Sequence, residues 1–320
     1  MDNLTHTLVG VGLANAFYRR SVGKAAVPIL AIASNLPDVD ALVVLSGDPR
    51  SVLLRRTFGH SLLLLPLWVL LLAWIFRRFF PQLPLRTILG LTALGAGLHL
   101  LFDLVNSFGV VLLWPLSPWR PELATVFILD LTLTGLLALP LLLCIPKSRR
   151  ASLPGLSRAS ILAVAIYLMF CGANRFLAER ALAREIASLS PAPSFSYVFP
   201  EPLGPHRWRG VVRQGDAYHL SLIHSLSGKV EPRGDVATAL GDPAVRAVLA
   251  TGPGARLQSF FKAPVWRVVR SQAGARVTAW DLRFSSLVLS RDPVFLFSFQ
   301  VSPHGEVREE LHSSEFLRGR

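Results

Sequence analysis

The sequence is poor in charged residues and in cysteine. Charged residues make up 17% of its 320 residues and hydrophobic residues 52%, whereas soluble globular proteins carry about 25% charged residues. This balance excludes a disordered, collagen-like or coiled-coil chain and indicates a membrane protein. The two cysteines, Cys144 and Cys171, lie in apolar runs without CxxC spacing, so neither a disulfide framework nor a thiolate zinc site is expected. Residues 1–6 lack the basic start that is typical of a signal peptide.

The basic residues form short clusters between apolar runs. The net charge of +13 is compatible with nucleic-acid binding, but that function usually shows a basic stripe on a folded surface. Clusters between apolar runs instead mark the cytoplasmic side of a membrane protein. We therefore expect membrane lipids, and no nucleic acid, as partners.

Residues 1–180 are predicted to form an α-helical polytopic membrane bundle of about six helices, since about 20 apolar residues cross the hydrocarbon core. The apolar segments lie at 5–18, 25–45, 61–80, 85–105, 123–145 and 160–175. Basic clusters at 19–24, 77–86 and 147–158 fall on one side of this bundle, which the positive-inside rule makes cytoplasmic. The N-terminus and the chain after residue 180 would then lie outside.

Residues 190–320 are predicted to form a soluble, β-rich domain of the α+β class. A proline-rich linker covers 190–205, and runs rich in β-branched and aromatic residues follow at 218–222, 265–269, 276–284 and 294–301. Residues 242–251 are predicted to form a short helix. By the topology above, this domain is extracytoplasmic.

Ionisable residues within the apolar helices are the strongest functional signal, because such residues are costly in a membrane and usually mark function. His99 and Asp103 have i, i+4 spacing, which puts both side chains on one helix face. An imidazole with a carboxylate suits zinc, iron or manganese. The predicted topology brings this pair toward the outer membrane face.

His6, Asp38, Asp40 and His60 are further candidates toward the same face. Asp38 and Asp40 are about 200° apart on an α-helix, so both reach one metal only if the backbone turns there. Otherwise one of them binds the metal and the other orients a histidine. The non-functional alternatives are a turn with solvated carboxylates and an interfacial histidine bonded to a backbone carbonyl.

Asp130 and Asn106 carry a less specific signal. Asp130 lies among apolar residues. Three roles are open for it: a metal ligand, a carboxylate that orients a metal ligand, or the partner of an arginine such as Arg56. Asn106 follows Asp103 by about one turn, and it either donates a hydrogen bond to the site or caps a helix near Gly109. The motifs of serine hydrolases, nucleotide-binding proteins and zincins are absent from the sequence.

Several of these positions fall in segments that resemble the YdjM family of inner-membrane proteins, whose members are described as metal-dependent hydrolases. The segments are MDNLTH with Gly10, LPDVD at 36–40, Arg56 before GHS at 59–61, HLLFDLVNSFG at 99–109, WPL at 114–116 and FILD at 127–130. The order His, Asp, His, HxxxD is also similar to that of zinc-dependent phospholipases C and related nucleases. Those enzymes cleave phosphodiesters with zinc ions held in a helical bundle.

The resemblance implies a metal-dependent hydrolase of a bacterial inner membrane, with zinc, or else manganese or iron, as cofactor. The matching metal ligands are His6, Asp40, His60, His99 and Asp103. The residues assigned catalytic roles are Asp38, Asn106 and Asp130. A site near the outer interface suits a lipid or a lipid-linked phosphoester as substrate. A metal-ion or proton transporter, and a non-catalytic scaffold that binds an envelope partner, are the alternatives; the sequence leaves the oligomeric state open.

Overall fold

The computed structural model describes residues 1–46, 49–289 and 295–310. The chain divides into two units, one made of Met1–Leu42 and Leu54–Gly172 and the other of Val43–Leu53 and Ala173–Arg320. The first unit is helical and the second contains the β-strands. This confirms the predicted order of a helical N-terminal region followed by a β-rich C-terminal region.

In the described residues the N-terminal region holds six α-helices. α1 (Asn3–Leu13) begins after Asp2, whose side chain accepts a hydrogen bond from the Thr5 amide at 3.0 Å, and it continues as a π-helix over Ala14–Tyr18. The later helices are α2 (Ala26–Ala33), α3 (Leu65–Phe79), α4 (Leu85–Leu104), α5 (Leu131–Leu143) and α6 (Leu153–Ile186). Between α2 and α3 the chain forms 3₁₀ segments over Leu36–Ser46, Pro49–Leu54 and Phe58–His60.

Three segments of the described chain are long and apolar enough to cross a membrane: Gly23–Val43, Leu85–Leu104 and Lys147–Ile186. A bent pair, Arg50–His60 with Leu65–Phe79, raises the number to four if the pair forms one span. The described residues therefore offer three or four candidate spans where the sequence predicts about six crossings, and the further crossings stay a prediction. α1 and α5 have 11 and 13 residues, fewer than the roughly 20 of a straight span, although the π-helix over Ala14–Tyr18 extends α1.

Glycines let α1, α2 and α4 approach one another closely. A Cβ atom at Gly10 of α1 would lie 2.5 Å from the Leu30 carbonyl oxygen of α2. A Cβ atom at Gly95 of α4 would lie 2.7 Å from the Cβ atom of Ala33. Small residues at helix contacts are typical of membrane bundles, where close van der Waals packing holds the helices together. This contact positions the histidines that lie about one turn away on α1 and α4.

The C-terminal region contains two antiparallel four-stranded sheets in the described residues, with the orders β1-β2-β3-β4 and β5-β6-β7-β8. The first sheet consists of β1 (Phe195–Pro200), β2 (Arg207–Gln214), β3 (Ala217–His224) and β4 (Lys229–Ala237). The second consists of β5 (Pro264–Ser271), β6 (Gly274–Asp281), β7 (Phe297–Val301) and β8 (Val307–Glu310). Two short helices, α7 (Pro243–Leu249) and α8 (Gly252–Phe260), follow β4 along the chain.

The predicted strands correspond to β3, β5, β6 and β7. The run at 276–284 ends in a 3₁₀ turn over Leu282–Phe284, and residue 294 of the last run lies outside the described residues. The helix predicted at 242–251 is α7, which Asp242 caps. The predicted linker at 190–205 is wrong in part, because β1 (Phe195–Pro200) lies within it and pairs with β2. β2 was also not predicted: residues 208–212 are all buried, so this strand lacks the alternation of a half-buried strand.

Replacing Gly10 with Ala should lower the melting temperature of the detergent-solubilised protein, because the added methyl group would meet the α2 backbone at 2.5 Å. Overpacking of this kind costs about 1–3 kcal/mol. Gly12→Ala is the matched control on the same helix, since a Cβ atom there has no neighbour within 4 Å. Equal melting temperatures for wild type and Gly10→Ala would contradict the close contact between α1 and α2.

Candidate metal centre

Four ionisable side chains meet in the helical unit: Asp38, His60, His99 and Asp103. One ligand atom of each lies within 4.8 Å of the others, and all four residues are buried. Asp38 comes from the first 3₁₀ segment, His60 from the last, and the other two lie one turn apart near the end of α4. A group with this composition and spacing could hold a metal ion.

A close backbone contact brings the His60 turn to the Asp38 segment. A Cβ atom at Gly59 would overlap the carbonyl oxygen of Pro37. Glycine, which has no Cβ atom, permits this approach of two backbones. His60 therefore lies beside Asp38 and Asp40 although it comes from a different turn.

A hydrogen bond at the Nδ1 atom of each histidine, His60 and His99, fixes its tautomer. The Nδ1 atom of His99 lies 2.7 Å from the carbonyl oxygen of Ser34, which can only accept a hydrogen bond. The Nδ1 atom of His60 lies 2.8 Å from Oδ2 of Asp40, and the Thr57 amide donates to the same oxygen at 2.8 Å. Both Nδ1 atoms therefore carry the proton. In the neutral rings each Nε2 atom then presents a lone pair, which is the form that binds metals.

These two lone pairs face each other. The Nε2 atoms of His60 and His99 are 3.1 Å apart. Two acceptors at that distance repel each other unless a proton or a cation lies between them. Two nitrogen ligands of one tetrahedral zinc ion, with Zn–N bonds of about 2.0 Å, are about 3.3 Å apart. The donor set therefore fits a metal ion.

Two carboxylates complete the group. Oδ2 of Asp103 lies 3.1 Å from Nε2 of His60 and 3.5 Å from Nε2 of His99. Oδ1 of Asp38 lies 3.9 Å and 3.8 Å from the same two nitrogens. The side chain of Asn3 donates to the other oxygen of Asp38 at 3.1 Å. Imidazoles combined with carboxylates suit zinc, manganese or iron.

Asp38, rather than Asp40, lies among the converging ligand atoms. Asp40 is buried behind His60 and holds its Nδ1 atom. A 3₁₀ segment turns by about 120° per residue, so side chains two positions apart point in different directions. From the sequence, Asp40 is expected to bind the metal and Asp38 to take part in catalysis. The geometry favours Asp38 as a ligand and Asp40 as the residue that orients His60.

His6 packs beside this group. Its ring stacks on that of His99 with the centroids 3.7 Å apart, and its Nε2 atom lies 3.1 Å from Oδ1 of Asp103. The Met1 amino group contacts the same oxygen. His6 therefore reaches the centre through Asp103, and its assignment as a metal ligand stays a prediction.

A buried arginine pairs with the carboxylate of Asp103. Arg56 is 4% exposed, and its Nε atom lies 2.8 Å from Oδ2 of Asp103. The guanidinium also donates to Oδ1 of Asn106 at 2.8 Å and lies over the Phe108 ring at 4.7 Å. Asn106 thus contacts the centre through Arg56. The arginine considered from the sequence as a partner for Asp130 is instead the partner of Asp103.

Asp130 lies outside the metal-ligand group. Its Oδ1 atom accepts a hydrogen bond from the Leu133 amide at 2.9 Å and so caps α5. Its Oδ2 atom accepts a hydrogen bond from the Tyr167 hydroxyl at 2.8 Å. Both oxygens thus serve helix capping and tertiary packing, a role that was not predicted for this residue.

Backbone groups are the contributors that sequence reasoning missed. They are the Ser34 carbonyl, the Thr57 amide and the Met1 amino group. A backbone group leaves no trace in residue identity, so only the fold reveals it. Arg56 did leave a signal, because it is a charged residue shortly before the His60 turn, but the sequence could not name its partner.

The His99→Ala and Asp103→Asn variants should lose the metal that elemental analysis detects in the purified wild-type protein, because each change removes a ligand of the central group. Asp130→Asn is the control and should keep the wild-type metal content. Asparagine is a good N-cap, so α5 should remain intact in this variant. Full metal content in both ligand variants would disprove the assignment.

Asp40→Ala should weaken metal binding by about 10–100-fold without abolishing it at saturating metal, as expected for a residue that orients a ligand. The cause is the loss of the 2.8 Å hydrogen bond that fixes the His60 tautomer. Titration of the metal-free protein with zinc against a competing chelator would measure the change. Complete loss of binding at saturating zinc would instead identify Asp40 as a direct ligand.

Comparison with known proteins relates the helical region to one family. The uncharacterized protein YfhP of Bacillus subtilis (strain 168) is 29% identical over 124 residues, which cover 37% of this chain and 38% of that protein. No solved structure matches the chain. Residues 1–178, more than half of the chain and including every residue of the candidate centre, match the YdjM inner membrane protein family. The chain therefore belongs to the YdjM inner membrane protein family.

Proposed function

We propose that the chain is a membrane-bound, metal-dependent hydrolase that acts on a lipid or lipid-linked phosphoester at the outer membrane interface. The observation that carries the proposal is the pair of Nε2 atoms of His60 and His99, 3.1 Å apart and beside two carboxylates. Both atoms are acceptors in the neutral rings, so a metal cation between them, like a proton, would relieve their repulsion. Buried ionisable groups in membrane proteins are costly and usually serve function.

The balance of buried charge supports a divalent cation. Asp38, Asp40 and Asp103 are buried together, and two cationic groups beside them, the Arg56 guanidinium and the Met1 amino group, both contact Asp103. Buried carboxylates are stable only where they are paired or coordinate a metal. Zinc is the ion that we propose, because it binds imidazole and carboxylate together in catalytic sites. Manganese and iron are the other ions to be tested.

Four side chains would hold the metal: Asp38, His60, His99 and Asp103. A metal of this kind supplies Lewis acidity, which makes water nucleophilic at neutral pH and stabilises negative charge on a phosphoester. The Ser34 carbonyl and the Asp40 carboxylate keep the two imidazoles in the tautomer that binds metal. The ring of His6 stacks on the face of the His99 ring and so restricts its orientation.

We assign Arg56 to the binding of the phosphoester anion. A planar guanidinium can bind two phosphate oxygens at once, and this interaction is strong in a buried site. Asn106 and Phe108 hold the guanidinium beside Asp103. The ion pair with Asp103 weakens once that carboxylate shares its charge with a cation, which leaves the guanidinium available to an anionic substrate.

The depth of the centre supports a substrate at the membrane interface. Asp103 is the last residue but one of α4, whereas Arg86 is the second, so the two lie about 25 Å apart along the helix. The positive-inside rule puts the basic end in the cytoplasm and the centre toward the outer face. A lipid head group would arrive at that level.

The same rule supports an extracytoplasmic C-terminal region. α6 follows the basic cluster at 147–150 and has 34 residues, which is long enough to cross a hydrocarbon core about 30 Å thick. We propose that the chain after α6 lies outside the cytoplasm.

Arg56→Gln should lower kcat for phosphoester hydrolysis by about 10²–10³-fold, the usual cost of removing one donor that stabilises transition-state charge. Metal content should not fall, because the change removes a positive charge beside Asp103. The assay would use proteoliposomes with bis(p-nitrophenyl) phosphate and with phosphatidylglycerol as substrates. Arg78→Gln, at an exposed arginine near the end of α3, is the control and should keep wild-type kcat.

Other outcomes of the same assay identify the alternatives. Zinc or proton flux into the proteoliposomes without hydrolysis would favour a transporter. Stoichiometric metal with neither flux nor hydrolysis would favour a non-catalytic scaffold. If Arg56→Gln keeps the wild-type kcat, Arg56 does not bind the substrate anion. The activity of His99→Ala would then test the hydrolase proposal separately.

A further inference from the structure

A cleft at the basic end of the helical unit has no part in the proposed function. The basic end comprises residues 18–24, the start of α4 and the segment 147–158. The cleft has a volume of about 680 Å³ and is lined by residues between 18 and 22 and between 83 and 94. Arg86, on its wall, lies about 20 Å from His99 along α4. The cleft is therefore a site separate from the metal centre.

The lining of the cleft is polar on one part and apolar on the other. The polar groups belong to Tyr18, Ser21, Arg86 and Thr87. The apolar wall includes Val22, Leu83, Leu91 and Leu94. A ligand that matches both parts has a polar head and an apolar tail.

The sequence around the cleft carries charge of one sign. Segments 14–28, 77–98 and 144–158 contain ten Lys or Arg residues and no Asp or Glu. Arg158 donates a hydrogen bond to the Ala16 carbonyl at 2.9 Å, so the start of α6 lies at the same end of the unit as the cleft. The head of a complementary ligand is therefore anionic.

We propose that this cleft binds one anionic phospholipid of the surrounding bilayer. Its phosphate would contact Arg86 and the hydroxyl groups of Ser21 and Thr87, and its acyl chains would lie along Leu91 and Leu94. Basic pockets between membrane helices at the cytoplasmic side bind anionic lipid head groups. A free phosphate could use the same polar groups but would leave the apolar wall in water, so the lipid is the better match.

Gly90 offers a way to fill the cleft without touching the metal centre. It lines the cleft on α4, and a Cβ atom there has no neighbour within 4 Å. Gly97 on the same helix is also exposed and has no neighbour within 4 Å of a Cβ atom, yet it lies outside the cleft lining. The pair Gly90→Trp and Gly97→Trp is therefore a matched test and control.

Native mass spectrometry of the full chain in a neutral detergent tests the proposal with phosphatidylglycerol and phosphatidylcholine as probes. Wild type should bind one phosphatidylglycerol in preference to phosphatidylcholine. Arg86→Gln should weaken that binding about fivefold, the effect of one basic side chain at an anionic head group. Gly90→Trp should abolish it. Arg78→Gln and Gly97→Trp should bind as wild type does, and all four variants should keep the wild-type metal content.

Three results would overturn the proposal. Equal losses of phosphatidylglycerol binding in Arg86→Gln and Arg78→Gln would mean that the lipid is attracted to the basic end as a whole and does not bind at one site. Unchanged binding in Gly90→Trp would mean that the lipid lies elsewhere. Inorganic phosphate that displaces the lipid at similar concentration would indicate a phosphate pocket. If Gly90→Trp loses its metal and so fails to fold, the comparison of the two arginine variants decides the question alone.

Discussion

The candidate centre depends on one contact, the approach of two imidazole nitrogens that both present lone pairs. Each ring is held from behind by an acceptor, the Ser34 carbonyl for His99 and the Asp40 carboxylate for His60, so its Nδ1 atom carries the proton. The two Nε2 atoms then meet at 3.1 Å. Two acceptors so close need a positive charge between them. The close backbone contacts at Gly10, Gly59 and Gly95 bring the contributing segments together.

Charge in the helical unit is divided between its two ends. Asp38, Asp40 and Asp103 lie buried around the centre with Arg56. The opposite end of α4 carries basic residues and a cleft with an apolar wall. An asymmetry of this kind orients a protein in a membrane, because basic residues stay in the cytoplasm.

Burial strengthens the interactions between the charged groups of the centre. In a region of low dielectric constant, charges interact more strongly than in water, and an unpaired charge is costly. Arg56, fixed by Asn106 and Phe108, keeps Asp103 paired. Asp130 is held in the same unit by different partners, since it caps α5 and accepts a hydrogen bond from Tyr167. The carboxylates of Asp103 and Asp130, which both follow apolar residues in the sequence, therefore differ in role because their neighbours in the fold differ.

The sequence by itself determined the features that depend on local geometry. Composition identified a membrane protein, i, i+4 spacing put His99 and Asp103 on one face of α4, and alternation located β3, β5, β6 and β7. Only the tertiary structure shows that Asp38 lies beside the two Nε2 atoms and Asp40 behind His60, because that arrangement follows from a 3₁₀ turn and not from residue type. It also revealed the Ser34 carbonyl behind His99. Contacts between distant segments depend on backbone packing, which leaves no local pattern in the sequence.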